Sequence, residues 1–300
     1  METPTPEPVA TTPRTHTQES TESGGLLRLH LRLGYDGRDF HGWARQPNLR
    51  TVAGELEAAL GTVLRLHPAP HTVCAGRTDA GVHARDQHVH VDLPVTALPD
   101  ADAAACQQLG RRLNGVLPAD VRVFEVAVAP AGFDARFSAE WREYRYRVTT
   151  GVLDPLHRGF VVTWPATVAL PALSAAAELV LGEHDFAAFC RRRAGATTIR
   201  TVLACHWAPC GDSAVPRAAD TFELAIRADA FCHSMVRSLV GAMLSVGDGR
   251  RTLTWLADVL ASAQRRSDVA VAPAAGLVLE RVAYAADPAA RALLTRARRG

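Results

Sequence analysis

Leu27, Leu29, Leu31 and Leu33 alternate with Arg28, His30 and Arg32. A period of two sends successive side chains to opposite faces of an extended chain, so this stretch predicts a β-strand with one buried face. The same rhythm returns where Val89, Val91 and Leu93 alternate with His88, His90 and Asp92, over Val121–Val128, where Tyr144, Tyr146 and Val148 alternate with Arg145 and Arg147, at Phe222, Leu224 and Ile226, and over Leu277–Tyr284. Helical periods fill the gaps. Val52, Leu56, Ala59, Leu60, Val63 and His67 fall on one stripe behind a capping Thr51. Further helices are predicted near 101–114, over 171–181, over 233–246 with Gly247 as C-cap, and once more before the last strand. Interleaved strands and helices predict an α+β fold in which two α/β halves, 26–130 and 131–287, share a sheet. No sequence repeat relates the halves.

The ends have a different composition. Residues 1–25 are rich in Thr, Pro, Glu and Ser, too polar to offset their ordering entropy, and are expected to be disordered. Residues 288–300 carry Arg291, Arg296, Arg298 and Arg299 and are expected to form a solvated, frayed tail. Pro209–Asp220 reads as a surface loop. No apolar run is long enough to cross a bilayer, and the N-terminus is not a basic-then-apolar leader, which suggests a cytoplasmic protein. The six cysteines are scattered with no CxxC pair, which argues against a zinc ribbon or a thioredoxin-like motif. The net charge of +2 does not by itself announce a nucleic-acid binder, but all 33 basic residues are arginine. Any phosphate contact must therefore use a planar, bidentate guanidinium.

Three features carry chemistry. The segment Gly76-Arg77-Thr78-Asp79-Ala80-Gly81-Val82-His83 brackets an Arg, a Thr and an Asp between glycines. Such a loop turns sharply and approaches a ligand closely, and its carboxylate can serve as nucleophile, base or metal ligand. An Asp beside Gly is also an ordinary turn residue. Arg237 interrupts an otherwise apolar helical stretch, Met235–Leu244. It either snorkels to the surface or pairs with a carboxylate, and a loop Asp is the natural partner. Tyr144 lies on a strand between arginines, where it is either a core residue or a platform for a base, with guanidiniums holding phosphates.

Four segments together resemble the successive signatures of the TruA-type tRNA pseudouridine synthases. They are Tyr35-Asp36-Gly37…His41-Gly42-Trp43, Cys74–His83, Phe133–Ala139 and Phe231–Arg237. They occur in the family's order, and the likeness covers residues 27–285. It implies the pseudouridine synthase fold, with a mixed, mostly antiparallel sheet flanked by helices, and an isomerase acting on adjacent uridines of the tRNA anticodon stem-loop. It assigns the nucleophile to Asp79, the residue pairing with it to Arg237, base contact to Tyr144, base extrusion to Arg77 and packing beside the base to Leu277. It implies neither a metal nor a cofactor, and a homodimer whose tRNA spans both subunits. The chain departs from the family pattern at Ala44, at Ser234 (often His), in the run Ala272–Ala275, and at Asp86 and His88.

Two other readings compete. His88 and His90 on one strand face, completed by His83, Asp79 or Asp92, would suit a metal-dependent hydrolase. A non-catalytic RNA-binding module would keep the fold, but has no use for Asp79, Tyr144 and Arg237 together.

Overall fold

A computed structural model describes residues 25–191, 197–210 and 220–297. The expectations for residues 1–24, for most of the 209–220 loop and for Arg298 and Arg299 fall outside the described residues. The elements run β1 (Leu26–Tyr35), α1 (Val52–Leu64), β2 (Thr72–Cys74), β3 (His83–Pro94), α2 (Ala103–Val116), β4 (Val121–Val128), β5 (Ala139–Thr149), β6 (Val162–Thr163), α3 (Leu170–Glu178), β7 (Gly182–Asp185), β8 (Ile199–Pro209), β9 (Thr221–Ala228), α4 (Met235–Gly247), α5 (Leu253–Ala261), β10 (Leu277–Tyr284) and α6 (Pro288–Ala297).

The strands form one sheet in the order β4-β1-β3-β10-β5-β9-β8-β7, with β2 added to β3 and β6 to β5. Pairings are antiparallel except β3–β10 and β5–β6. The last strand therefore returns to the middle of the sheet. It joins the first half of the chain through a short ladder, Val278 opposite His83 and Leu279 opposite Ala84. The loop that ends at His83 sits at this seam.

The apolar members of the alternating patterns are buried, among them Leu29, Leu31, Leu33, Val89, Val91, Leu93, Tyr146, Val148, Leu224 and Ile226. Thr51 caps α1 by accepting from the Gly54 N–H, as its position predicts. In α4 every residue except Arg237 is buried. No helix among the described residues is long and apolar enough to cross a membrane.

Four local expectations are corrected. The first helix stops at Leu64 because Arg65 turns left-handed (φ 55°), so His67 leaves the stripe and is exposed. Gly247 is the last residue of α4 and not its cap. A Cβ there would sit 2.6 Å from Leu173 Cδ2 on α3, so close helix packing demands the glycine. The left-handed glycine is Gly249 (φ 77°). The third correction is the C-terminal segment, which is docked through residue 297. Arg296 Nη2 donates to Asp134 Oδ2 at 2.7 Å, Ser138 Oγ donates to the Pro288 carbonyl at 2.7 Å, and Ala292 is buried.

The fourth is the histidine face. His88 and His90 are buried beside His30, with Phe133 and Tyr284 against their rings. His30 Nε2 and His88 Nδ1 share a hydrogen bond of 2.8 Å, and His90 Nδ1 accepts from the Ala135 N–H at 2.9 Å. Burial, then repulsion from His88 and His90, pulls His30 down to about 4. The unfolded chain binds a proton here near the ordinary pKa of about 6.5, and the folded chain resists it. Stability is therefore complete above that value and falls as the pH drops toward 4. This one group should remove about 2 kcal/mol between pH 7 and pH 5. Urea denaturation at both pH values, with His30→Leu beside the wild type, checks this. An equal pH dependence in the two proteins would place the effect elsewhere.

Candidate active site

The loop from Ala75 to Val82 is held by its backbone from several directions. Residues 36–43 wrap over it so tightly that a Cβ on Gly37 would overlap the Val82 carbonyl. Gly42, at φ 91°, has no room for a side chain against the Thr78 carbonyl. The Trp43 N–H donates to Thr78 O (3.0 Å), and the Gly81 N–H to Phe40 O (3.2 Å). These contacts give a physical reason for the Asp36-Gly37 and His41-Gly42-Trp43 segments. From beneath, Gln87 donates its amide to Gly76 O (2.7 Å), and Tyr35 Oη shares a 2.7 Å hydrogen bond with Thr78 Oγ1. From β5, the fully buried Arg142 donates to Ala75 O through Nε and Nη2 (3.2 and 2.9 Å). What this frame leaves projecting is Arg77, which is exposed, and Asp79.

Asp79 meets the start of α4. Ser234 Oγ lies 2.8 Å from Asp79 Oδ2, Arg237 Nη1 lies 3.5 Å from the same oxygen, and His233 Nε2 lies 3.2 Å from Oδ1. The side chains of Asp79 and Arg237 are 18% and 20% exposed, so their attraction is less screened than on an open surface. Arg237 does not snorkel outward. Its Nε donates to the Ala272 carbonyl at 2.7 Å, and its own carbonyl accepts from the Ala272 N–H at 3.0 Å. Segment 270–272 reaches that position by crossing α4 at Gly241, where a Cβ would collide with the Ala270 carbonyl.

Tyr144 completes the group. It is buried, packs edge-to-face on Phe231 (5.1 Å between centroids), and brings its hydroxyl 3.6 Å from the position a Cβ on Gly76 would take. Among the described residues that hydroxyl has no hydrogen-bond partner. Burial, with the Asp79 charge as the next cause, pushes its pKa above the ordinary tyrosine value, so it stays protonated at neutral pH. Leu277 is buried opposite Tyr146, on the face that carries Tyr144. Arg145 and Arg147 point to the other face and pair with Glu223 at 2.7 and 2.8 Å. Both guanidiniums are thus committed to a carboxylate, which the alternation alone leaves open.

A family model described as tRNA pseudouridine synthase matches residues 176–285, which include Ser234, Arg237 and Leu277. Curated relatives match most of the chain. A tRNA pseudouridine synthase A of Streptomyces griseus is 51% identical over 265 residues, covering 88% of this chain and 90% of the relative. One of Frankia casuarinae is 52% identical over 277 residues, covering 91% and 96%. One of Mycobacterium leprae is 47% identical over 281 residues, covering 90% and 94%. The chain belongs to the tRNA pseudouridine synthase A family.

Within this member of the tRNA pseudouridine synthase A family, the hydrolase reading finds no site. His88 and His90 are engaged in the buried cluster, and His83 Nδ1 accepts from the Gly37 N–H at 3.0 Å. Among the described residues no three His, Cys, Asp or Glu side chains are placed to hold a metal ion. Sequence reasoning brought Asp79, Arg237 and Tyr144 forward but passed over His233 and Ser234 as partners of the carboxylate. Ser234 registered only as a departure from the family pattern. It also passed over Gln87 and Arg142, whose contacts with the loop span 11 and 67 positions of chain.

Proposed function

We propose that this chain isomerises uridine to pseudouridine in the anticodon stem-loop of tRNA, with Asp79 as nucleophile. The observation that carries the reading is the Asp79 carboxylate, held on a braced loop at the seam of the sheet, with Arg237 beside it and the Tyr144 hydroxyl near the same loop. A stem uridine must leave the stack before its glycosidic bond is accessible, at a cost of a few kcal/mol. The exposed Arg77 is suited to fill the gap it leaves. Tyr144 and Leu277 would supply a stacking, apolar wall. Asp79 assists cleavage of the bond between ribose and N1; the freed uracil turns and rejoins the ribose through C5, the C5 proton is lost, and N1 takes up a proton. One bond and one proton change place, so substrate and product have the same composition. The chain would act in the cytoplasm as a homodimer with tRNA across both subunits, as the family resemblance implies.

The test uses unmodified tRNA transcripts, with each anticodon-stem uridine replaced by cytidine in turn. Pseudouridine in the intact transcript that disappears with particular replacements supports the reading. Tight binding without product would favour the RNA-binding module. Arg237→Met should lower kcat by roughly 100-fold, because a charge partner of the nucleophile is lost. A near-normal rate in single-turnover assays would remove Arg237 from the mechanism.

A further inference from the structure

Ser234 stands where a helix would ordinarily be capped, and it does not cap. Thr51, Asp102 and Thr252 show the usual arrangement in this molecule. Each has an extended backbone (φ −136°, −79° and −102°), and each side chain accepts from a backbone N–H in the first turn of its helix. Ser234 instead adopts the left-handed region (φ 61°, ψ 9°), and its side chain makes no capping bond. That region disfavours any residue with a Cβ, and such residues persist where the surroundings impose them. The turn points Oγ away from α4 and onto Asp79 Oδ2 at 2.8 Å. Arg237 Nη1 reaches the same oxygen only at 3.5 Å, and its Nε is committed to the Ala272 carbonyl. Among the described residues, Ser234 therefore supplies the shortest polar contact to this carboxylate, and the next, His233 Nε2 at 3.2 Å, lies on the other oxygen, Oδ1.

We propose that Ser234 is a positioning residue for Asp79: its hydroxyl donates to Oδ2 and fixes the carboxylate, so that Oδ1, with His233 Nε2 at 3.2 Å beside it, is the oxygen turned toward the ribose. This rests on Asp79 being the nucleophile. A carboxylate anchored by one oxygen keeps a single rotamer and presents the other oxygen in a fixed direction, which is where positioning lowers a barrier. The backbone strain and the forgone cap are what this placement entails.

The strained backbone supplies a discriminating variant. Ser234→Gly removes Oγ and relieves the left-handed conformation, which offsets the lost hydrogen bond and the added chain entropy, so its Tm should stay close to that of wild type. Its kcat should fall roughly 10- to 100-fold, the effect of losing a hydrogen bond to a charged group, while KM for tRNA stays within about twofold. Ser234→Asn should recover much of the rate, because Asn tolerates this backbone region and its amide can donate to the carboxylate. A Ser234→Gly enzyme with kcat within about twofold of wild type overturns the proposal. So does a loss of rate that accompanies a fall in Tm and is not recovered by Asn, which marks a structural residue. Asp79→Asn is assayed in parallel. If it still makes pseudouridine, the reading of the site fails. If it is inactive and Ser234→Gly is near wild type, only the positioning role fails.

Discussion

Asp79→Asn is expected to fold, bind tRNA and make no pseudouridine, with a loss of kcat on the order of 10⁴-fold or more. Folding should survive because the loop is held by its backbone. Gly37, Gly42, Trp43, Gln87 and Arg142 all contact main-chain atoms, and none depends on the Asp79 side chain. The asparagine oxygen can still accept from Ser234 Oγ, so the side-chain volume and one contact persist. Stability should change by less than about 1 kcal/mol, because the lost ion pair is partly exposed and long. Binding should hold or strengthen slightly, since a negative charge facing a polyanion is removed. An amide cannot act as an anionic nucleophile. Nucleoside analysis of digested tRNA after prolonged incubation measures the outcome. Product above about 1% of the wild-type rate would mean that Asp79 orients the substrate and that bond cleavage proceeds without it.

How much of this was legible follows from how far each feature depends on distant chain. The strands at Leu27–Leu33 and Tyr144–Val148 were visible because a period of two is a local signal. The parallel join of β3 to β10 was not, since nothing within either strand names a partner about 195 positions away. Asp79 stood out through its glycine-bracketed loop, and the resemblance made the role specific. Tyr144 was visible, but the partner of its neighbouring arginines was not. Alternation placed Arg145 and Arg147 on the opposite face, yet only Glu223 on β9 shows what they do there. His88 and His90 read correctly as one face of a strand. That the face is covered depends on Phe133 and Tyr284, which arrive from elsewhere. Ser234 stood out only as a departure from the family pattern, and the backbone angles that separate it from a cap are not a local sequence signal. Gly247 reads as a cap and proves to be a packing glycine for a similar reason. The choice between a packing glycine and a turning glycine is made by Leu173 on another helix.

Arg142→Met is expected to cost about 3–5 kcal/mol of stability, among the largest effects of any single change outside the apolar core. Arg142 is fully buried, and its five hydrogen bonds go to carbonyl oxygens of Ala75, Arg136, Ala139 and Asp229. No carboxylate pairs with it among the described residues. Burial lowers its pKa from the ordinary arginine value, yet arginine keeps its charge at neutral pH. The guanidinium thus works as a fork that satisfies several backbone acceptors at once. Methionine fills similar volume but donates nothing, so each stranded carbonyl costs about 1–3 kcal/mol. The relief of no longer burying a cation offsets only part of this. Arg142→Lys should fall between, because one ammonium cannot span Ala75 on the loop and Asp229 beyond β9. The consequence should be uneven across the molecule. Ala75 opens the loop that carries Asp79, so losing its anchor loosens Gly76–Asp79 before it loosens α4, which is buried on nearly every side. Hydrogen exchange should therefore quicken first at the Gly76–Asp79 amides, and urea denaturation should report the global loss. A methionine variant within about 1 kcal/mol of wild type, with unchanged exchange in the loop, would mean that solvent or main-chain relaxation satisfies those carbonyls and that Arg142 does not brace the Asp79 loop.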